Sequence, residues 1–216
     1  MKKDLVNRVV LQKYCRAPVP HIRRLLASAS PVRRGQNIEA AKLILKNARL
    51  CRKESLRIAA AKVLVASLPE TFGDIQSFLT DFSRPLSYEV HFTLFCFLDR
   101  DELPSREGLR RRIFSLVKAY LMNSNAKTGF AAWMAGDLLG DHWGRREAVD
   151  ALCEIAANAE HPVARESAIH GLAHALDWAS PARRKRILGL FKKISSTDTC
   201  ESVRLSGRMA LGGRGK

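Results

Sequence analysis

The chain has 216 residues, 46% of them hydrophobic, and a formal net charge of +16 at neutral pH. That length suffices for one ordinary core or one short array of packed helices. No apolar run approaches the ~20 residues of a bilayer-spanning helix, so a soluble protein is expected. The charge is uneven: residues 1–62 carry +13, 63–180 carry −5 and 181–216 carry +8. Basic ends of this kind either meet a polyanion (nucleic acid, an anionic membrane surface or an acidic protein) or form a solvated surface.

Alternating apolar and polar stretches are nearly absent while Ala, Leu, Arg and Lys dominate, so the expected class is all-α. Residues 1–30 read as an amphipathic helix with Leu5, Val9 and Val10 inside, then a shorter one over 21–26, separated by Pro18, Pro20 and Pro31. Residues 36–46 form a helix with Ile38, Ala41, Leu43 and Ile44 on one face. Thr71 caps a helix holding Phe72, Ile75, Phe78 and Leu79. Ser105 caps a longer one whose stripe is Leu109, Ile113, Phe114, Leu116, Val117, Tyr120 and Leu121, with Arg110, Arg111 and Arg112 mostly outside. Residues 143–157 bury Ala148, Leu152 and Ile155. Ser180-Pro181 is an N-cap followed by proline at the first helical position, ahead of Ile187, Leu188, Leu190 and Phe191. Asp198-x-x-Glu201 resembles a capping box. Pro69, Pro85, Pro104, Pro162 and the pair Gly140/Gly144 break the connections, and residues 213–216 form a frayed tail.

Between these helices a phrase recurs, clearest in Val203-Arg204-Leu205-Ser206-Gly207-Arg208-Met209-Ala210-Leu211-Gly212. Its other copies start at Leu56, Val90, Ala131 and Ala164, in steps of 34, 41, 33 and 39 residues. Positions 0, 4 and 8 share one face, where small residues admit a neighbouring helix and Leu fills the gap. Arginine at position 1 (Arg57, Arg165, Arg204) can pack its stem there and reach an acid or carbonyl of the adjoining repeat. His91 and Ala132 replace it in the second and third copies, and Arg145 shows the pattern outside the second helices.

A near-constant step of this length marks stacked helix pairs, and the pattern resembles the HEAT-repeat family over about residues 36–212. The resemblance implies a right-handed α-solenoid of about five helix pairs, with residues 1–35 as a basic N-terminal helical cap. Second helices would line a concave face with positions 2 and 6. Position 2 gives Ile58, Phe92, Trp133, Glu166 and Leu205; position 6 gives Lys62, Cys96, Asp137, His170 and Met209. These side chains either bind a partner or pack between repeats.

Trp133, Asp137 and Asp141 share one face of a helix, and Glu166, His170, His174 and Asp177 one face of the next. Such facing columns could bind a metal or set a carboxylate beside a stacked base. His170-x-x-x-His174 lacks the glutamate that follows the first histidine in zinc proteases; Gly171 stands there. HEAT-like iron hydroxylases use His-Glu dipeptides, and this chain has none. Exposed helical histidines are therefore the reading taken, with no metal or cofactor expected.

Trp133-x-x-x-Asp137 is also similar to the aromatic-and-aspartate pair of HEAT-like alkylpurine DNA glycosylases. That resemblance implies that Asp137 stabilises positive charge on the sugar, that Trp133 and Trp178 stack, and that Arg165 holds a phosphate. The remainder of the chain does not match that family, and no Ser/His/Asp order or phosphate loop is present.

Five cysteines without a Cys-x-x-Cys spacing suit a reducing cytoplasm. The basic N-terminus, broken by Asn7, Arg8, Gln12 and Lys13, does not make a secretory signal, though an organellar transit peptide would share its composition. The reading that results is a non-catalytic adaptor that docks a protein through Phe92, Trp133, Asp137, Arg165, Glu166 and His170. Its basic portion (Arg23, Arg24, Arg33, Arg34, Lys42, Lys46, Arg49, Arg52 and Lys53) would contact nucleic acid or another polyanion. The rival is a DNA-repair enzyme built on Trp133 and Asp137.

Overall fold

The computed structural model describes residues 31–47, 54–81, 87–100, 107–142 and 146–212. Among them lie ten α-helices and no strand. The expected helices within 1–30, the cap Ser105, the breakers Pro85, Pro104 and Gly144, Arg145, and the tail 213–216 lie outside the described residues. No helix among those described is long and apolar enough to cross a membrane. The chain divides into two compact units, Met1–Glu102 and Leu103–Lys216.

In the first unit, α1 (Pro31–Lys46) pairs with α2 (Glu54–Ala66), and α3 (Phe72–Thr80) pairs with α4 (Ser87–Arg100). The two second helices, α2 and α4, also contact each other. Helix α1 begins at Pro31, five residues before its expected start. Proline suits a first helical turn because its missing N–H has no intrahelical acceptor there. Leu45, rather than Leu43, joins Ile38, Ala41 and Ile44 in the core. Thr71 does not cap α3 with its side chain; its hydroxyl donates to the Leu64 carbonyl at 2.5 Å, tying the turn back to α2.

Position 1 of the phrase behaves here as its chemistry requires. Arg57 is buried on α2 and donates to Glu89 on α4. His91, 1% exposed, donates from Nε2 to the Phe78 carbonyl at 2.7 Å. Burial lowers its imidazole below the ordinary value, more than that hydrogen bond raises it.

In the second unit, α5 (Glu107–Met122) pairs with α6 (Gly129–Asp137), α7 (Arg146–Asn158) with α8 (Pro162–Ala175), and α9 (Pro181–Thr197) with α10 (Glu201–Gly212). Helix α8 also contacts α6 and α10, while α7 contacts α5 and α9. Second helices thus adjoin second helices, and first adjoin first. Across both units, positions 0 and 4 of all five phrases are buried, as is position 8 in the first four. Ser180 caps α9 as expected, accepting from the Arg183 N–H. His161 caps α8 in the same way, with Pro162 at the first helical position.

Gly140 does not end its helix. Residues Leu138–His142 form a π-helical turn continuing α6, and its glycine is needed for packing. A Cβ on Gly140 would lie 3.0 Å from the Gly171 Cα and closer still to that residue's carbonyl. A Cβ on Gly171 would meet the Gly136 carbonyl, and one on Gly136 the Ser167 carbonyl. Helices α6 and α8 therefore cross backbone to backbone, which the missing side chains of Gly136, Gly140 and Gly171 permit.

This contact is testable. Gly171→Ala should lower the unfolding free energy by at least ~2 kcal/mol in urea titration, because backbone must move to make room. Gly189→Ala, on a face of α9 with nothing within 4 Å, should instead raise it by about 0.5–1 kcal/mol.

Candidate functional site

Position 2 of the phrase reaches the surface wherever it is apolar. Ile58, Phe92, Trp133 and Leu205 are 36%, 40%, 43% and 49% exposed. Met209, at position 6 of α10, is 67% exposed. On α2 and α4 the exposed pair is Ile58 and Phe92. On the second unit the face runs from Trp133 on α6, over Glu166 and His170 on α8, to Leu205 and Met209 on α10. Phe130, 77% exposed one turn before Trp133, extends it, and so do Asp141 and His174. The i, i+3 spacing of Phe130 and Trp133 was the available signal for that residue.

The glycine crossing brings the two expected columns together. The His170 ring stacks on Trp133, with centroids 4.5 Å apart and planes inclined by 23°, and meets His174 edge-on at 4.8 Å. Asp137 Oδ1 lies 3.0 Å from His170 Nε2 and 3.7 Å from His174 Nε2. Neither approach is a hydrogen bond, and Oδ1, though shielded from solvent, accepts none. On its far side His174 donates from Nδ1 to Asp141 Oδ1 at 2.9 Å. The π turn carries Asp141 there, one residue beyond Gly140. Trp178 donates its indole N–H to the Gly140 carbonyl at 2.6 Å, steadying that turn. Glu166 Oε1, also shielded, accepts no hydrogen bond.

Arg165 departs from the expected site. It is buried, turning away from Trp133 and Asp137, and its guanidinium makes a two-pronged pair with Asp198 at 2.9 Å through Nε and Nη2. Nη1 donates to the Ala159 and Glu160 carbonyls. All three guanidinium nitrogens are engaged, two with Asp198 at the end of α9 and one with the turn before α8, so a phosphate could take this side chain only by dismantling those contacts. Burial pushes the Asp198 carboxyl up, but the Arg165 hydrogen bonds, the Cys200 N–H and the charges of Arg165 and Arg204 together hold it below its ordinary value. The capping box expected here is not made: Asp198 accepts from Cys200 N, while Glu201 pairs with Arg204 and Arg208. Of the residues the glycosylase resemblance implies, Trp133 and Asp137 lie at this cluster, Arg165 is internal and the Trp178 indole N–H is bonded to backbone.

Among the expected basic residues, Lys42 is already paired with Glu39 at 2.7 Å and Asp74 at 3.0 Å, and Lys46 is exposed. Arg33 and Arg34 lie in the first turn of α1. Arg23, Arg24, Arg49, Arg52 and Lys53 lie outside the described residues. Comparisons with protein-family models, curated proteins and solved structures found no match to this chain.

The Arg165–Asp198 pair gives a prediction with a defined pH window. Because the folded-state value of Asp198 is depressed, the pair's contribution is complete above the ordinary 3.8 and is lost as pH falls through the lower folded value. Asp198→Asn leaves the guanidinium buried without its counter-charge and should cost about 3–5 kcal/mol at neutral pH. Unfolding titrations should show the gap between variant and parent narrowing below pH 3.8.

Proposed function

We propose that the chain is a non-catalytic helical-repeat scaffold of HEAT type, built from five stacked helix pairs, that docks a segment of a protein partner on its second-helix face. The observation that carries this reading is the exposure of Trp133 on α6 and of Leu205 and Met209 on α10, two helices that both pack against α8. Each such side chain yields roughly 1.5–3 kcal/mol when a partner covers it fully. Acidic Asp137, Asp141 and Glu166 lie between the apolar ends. The complementary segment therefore carries apolar anchors on either side of an arginine or lysine, which would pair with those carboxylates.

The uneven charge supports a second contact. Residues 1–62 hold most of the surplus, and exposed Lys46 and Lys62 belong to it. A polyanion, nucleic acid among them, would meet the scaffold there while the acidic middle repels it.

Peptides with leucine or methionine anchors flanking Arg should quench or shift Trp133 fluorescence on binding, and versions with Glu in that place should bind at least ~10-fold more weakly. Trp133→Ala and Met209→Ala should each weaken binding by about 10-fold or more. Affinity indifferent to both substitutions would overturn the docking face. For the basic portion, binding to random duplex DNA should fall steeply as salt rises; no binding at low salt removes that contact.

A further inference from the structure

We infer that Asp137, His170 and His174 form a binding site for a first-row divalent transition-metal ion, Zn²⁺ by preference, with Asp141 as the outer carboxylate that orients His174. The inference does not depend on the docking reading. One ligand atom from each of the three side chains lies within 4.8 Å of the others. Two ligands at zinc's bond lengths of about 2.0–2.1 Å in tetrahedral geometry stand ~3.3 Å apart. The pairs that Asp137 Oδ1 makes with the two Nε2 atoms, 3.0 and 3.7 Å, straddle that separation. The three atoms lie within 4.8 Å of one another, so closing the widest pair to that separation takes at most about 1.5 Å, shared between two side chains.

Three further observations point the same way. Asp137 Oδ1 is shielded from solvent and accepts no hydrogen bond although two imidazole nitrogens stand beside it. Second, the Nδ1–H of His174 is given to Asp141, which in the neutral ring leaves the lone pair on Nε2, facing Asp137. A carboxylate behind a ligating histidine is the usual device for fixing its tautomer. Third, Trp133 lies flat on the His170 ring and limits its rotation, so the site is partly preorganised.

The donor set selects the ion. Two imidazoles and one carboxylate suit zinc, cobalt, nickel or copper, whereas magnesium and calcium favour all-oxygen shells. Two carboxylates, Asp137 and Asp141, balance a doubly charged ion. The side chains remain 31%, 20% and 38% exposed for His170, Asp137 and His174, so a fourth position faces solvent and would take water or a donor from another molecule.

The test uses the full chain stripped with a chelator and titrated with Co²⁺. One equivalent should develop the visible absorption of four-coordinate cobalt, and one equivalent of Zn²⁺ should abolish it. Trp133 emission should be quenched to the same endpoint, and Trp133→Phe should bind cobalt with most of that quenching gone. His170→Gln and His174→Gln should each weaken binding by more than the ~10–100-fold expected for the outer-carboxylate variant Asp141→Asn. Far-UV circular dichroism checks that each variant is folded. Absence of the cobalt band in the parent protein, or a band that persists in the His170→Gln/His174→Gln double variant, would overturn the site and leave the cluster as an Asp–imidazolium contact.

Discussion

Helices α6 and α8 touch through their backbones at Gly136, Gly140, Ser167 and Gly171. Ordinary helix pairs stand 8–10 Å apart because side chains keep them there; removing the Cβ atoms at a crossing lets the axes approach. The approach decides how far each neighbouring side chain must reach. Trp133 and Asp137 flank the contact on one helix, and His170 and His174 flank it on the other. Their rings and carboxylate meet at 3–5 Å because the glycines between them meet first. The π turn has the same origin: it keeps the Gly140 backbone against Gly171 while presenting Asp141 to His174.

A second constraint acts between successive pairs. The phrase arginine reaches out of its own helix and holds the next pair: Arg57 takes Glu89, and Arg165 takes Asp198 with two backbone carbonyls. Arginine suits this position because its aliphatic stem packs along the stripe while its planar head satisfies several acceptors at once. Pairs this enclosed contribute by specifying the joint more than by raw stability, since desolvation offsets much of the attraction. The same enclosure removes Arg165 from any ligand-binding role.

With the arginines turned inward and the small residues consumed by the crossing, what remains outward on the second helices is large and chemically mixed. An indole stacked on an imidazole, carboxylates, and the leucine and thioether side chains of α10 are all exposed to solvent there. Under the proposed docking, such a surface would meet a segment carrying both apolar and cationic groups. It also has enough rigidity, through stacking and the Trp178–Gly140 bond, to hold donor atoms in place.

Much of the fold was legible in the residues alone because helical period and capping are local. The stripe of Leu109, Ile113, Leu116, Val117, Tyr120 and Leu121, the Ser180-Pro181 start and the buried 0, 4 and 8 positions follow from which residues recur every three or four places. The outward phase of Trp133, Leu205 and Met209 follows from the same count. Tertiary structure alone decided the rest. Whether Arg165 points to a ligand or to Asp198, 33 positions later, depends on what the next pair places within its reach. Gly140 reads equally as a breaker or as a contact until the helix it touches is known. The convergence of Asp137, His170, His174 and Asp141 depends on the distance between two helix axes. No run of residues along one helix encodes that distance, because it is set by which backbones come into contact across the crossing.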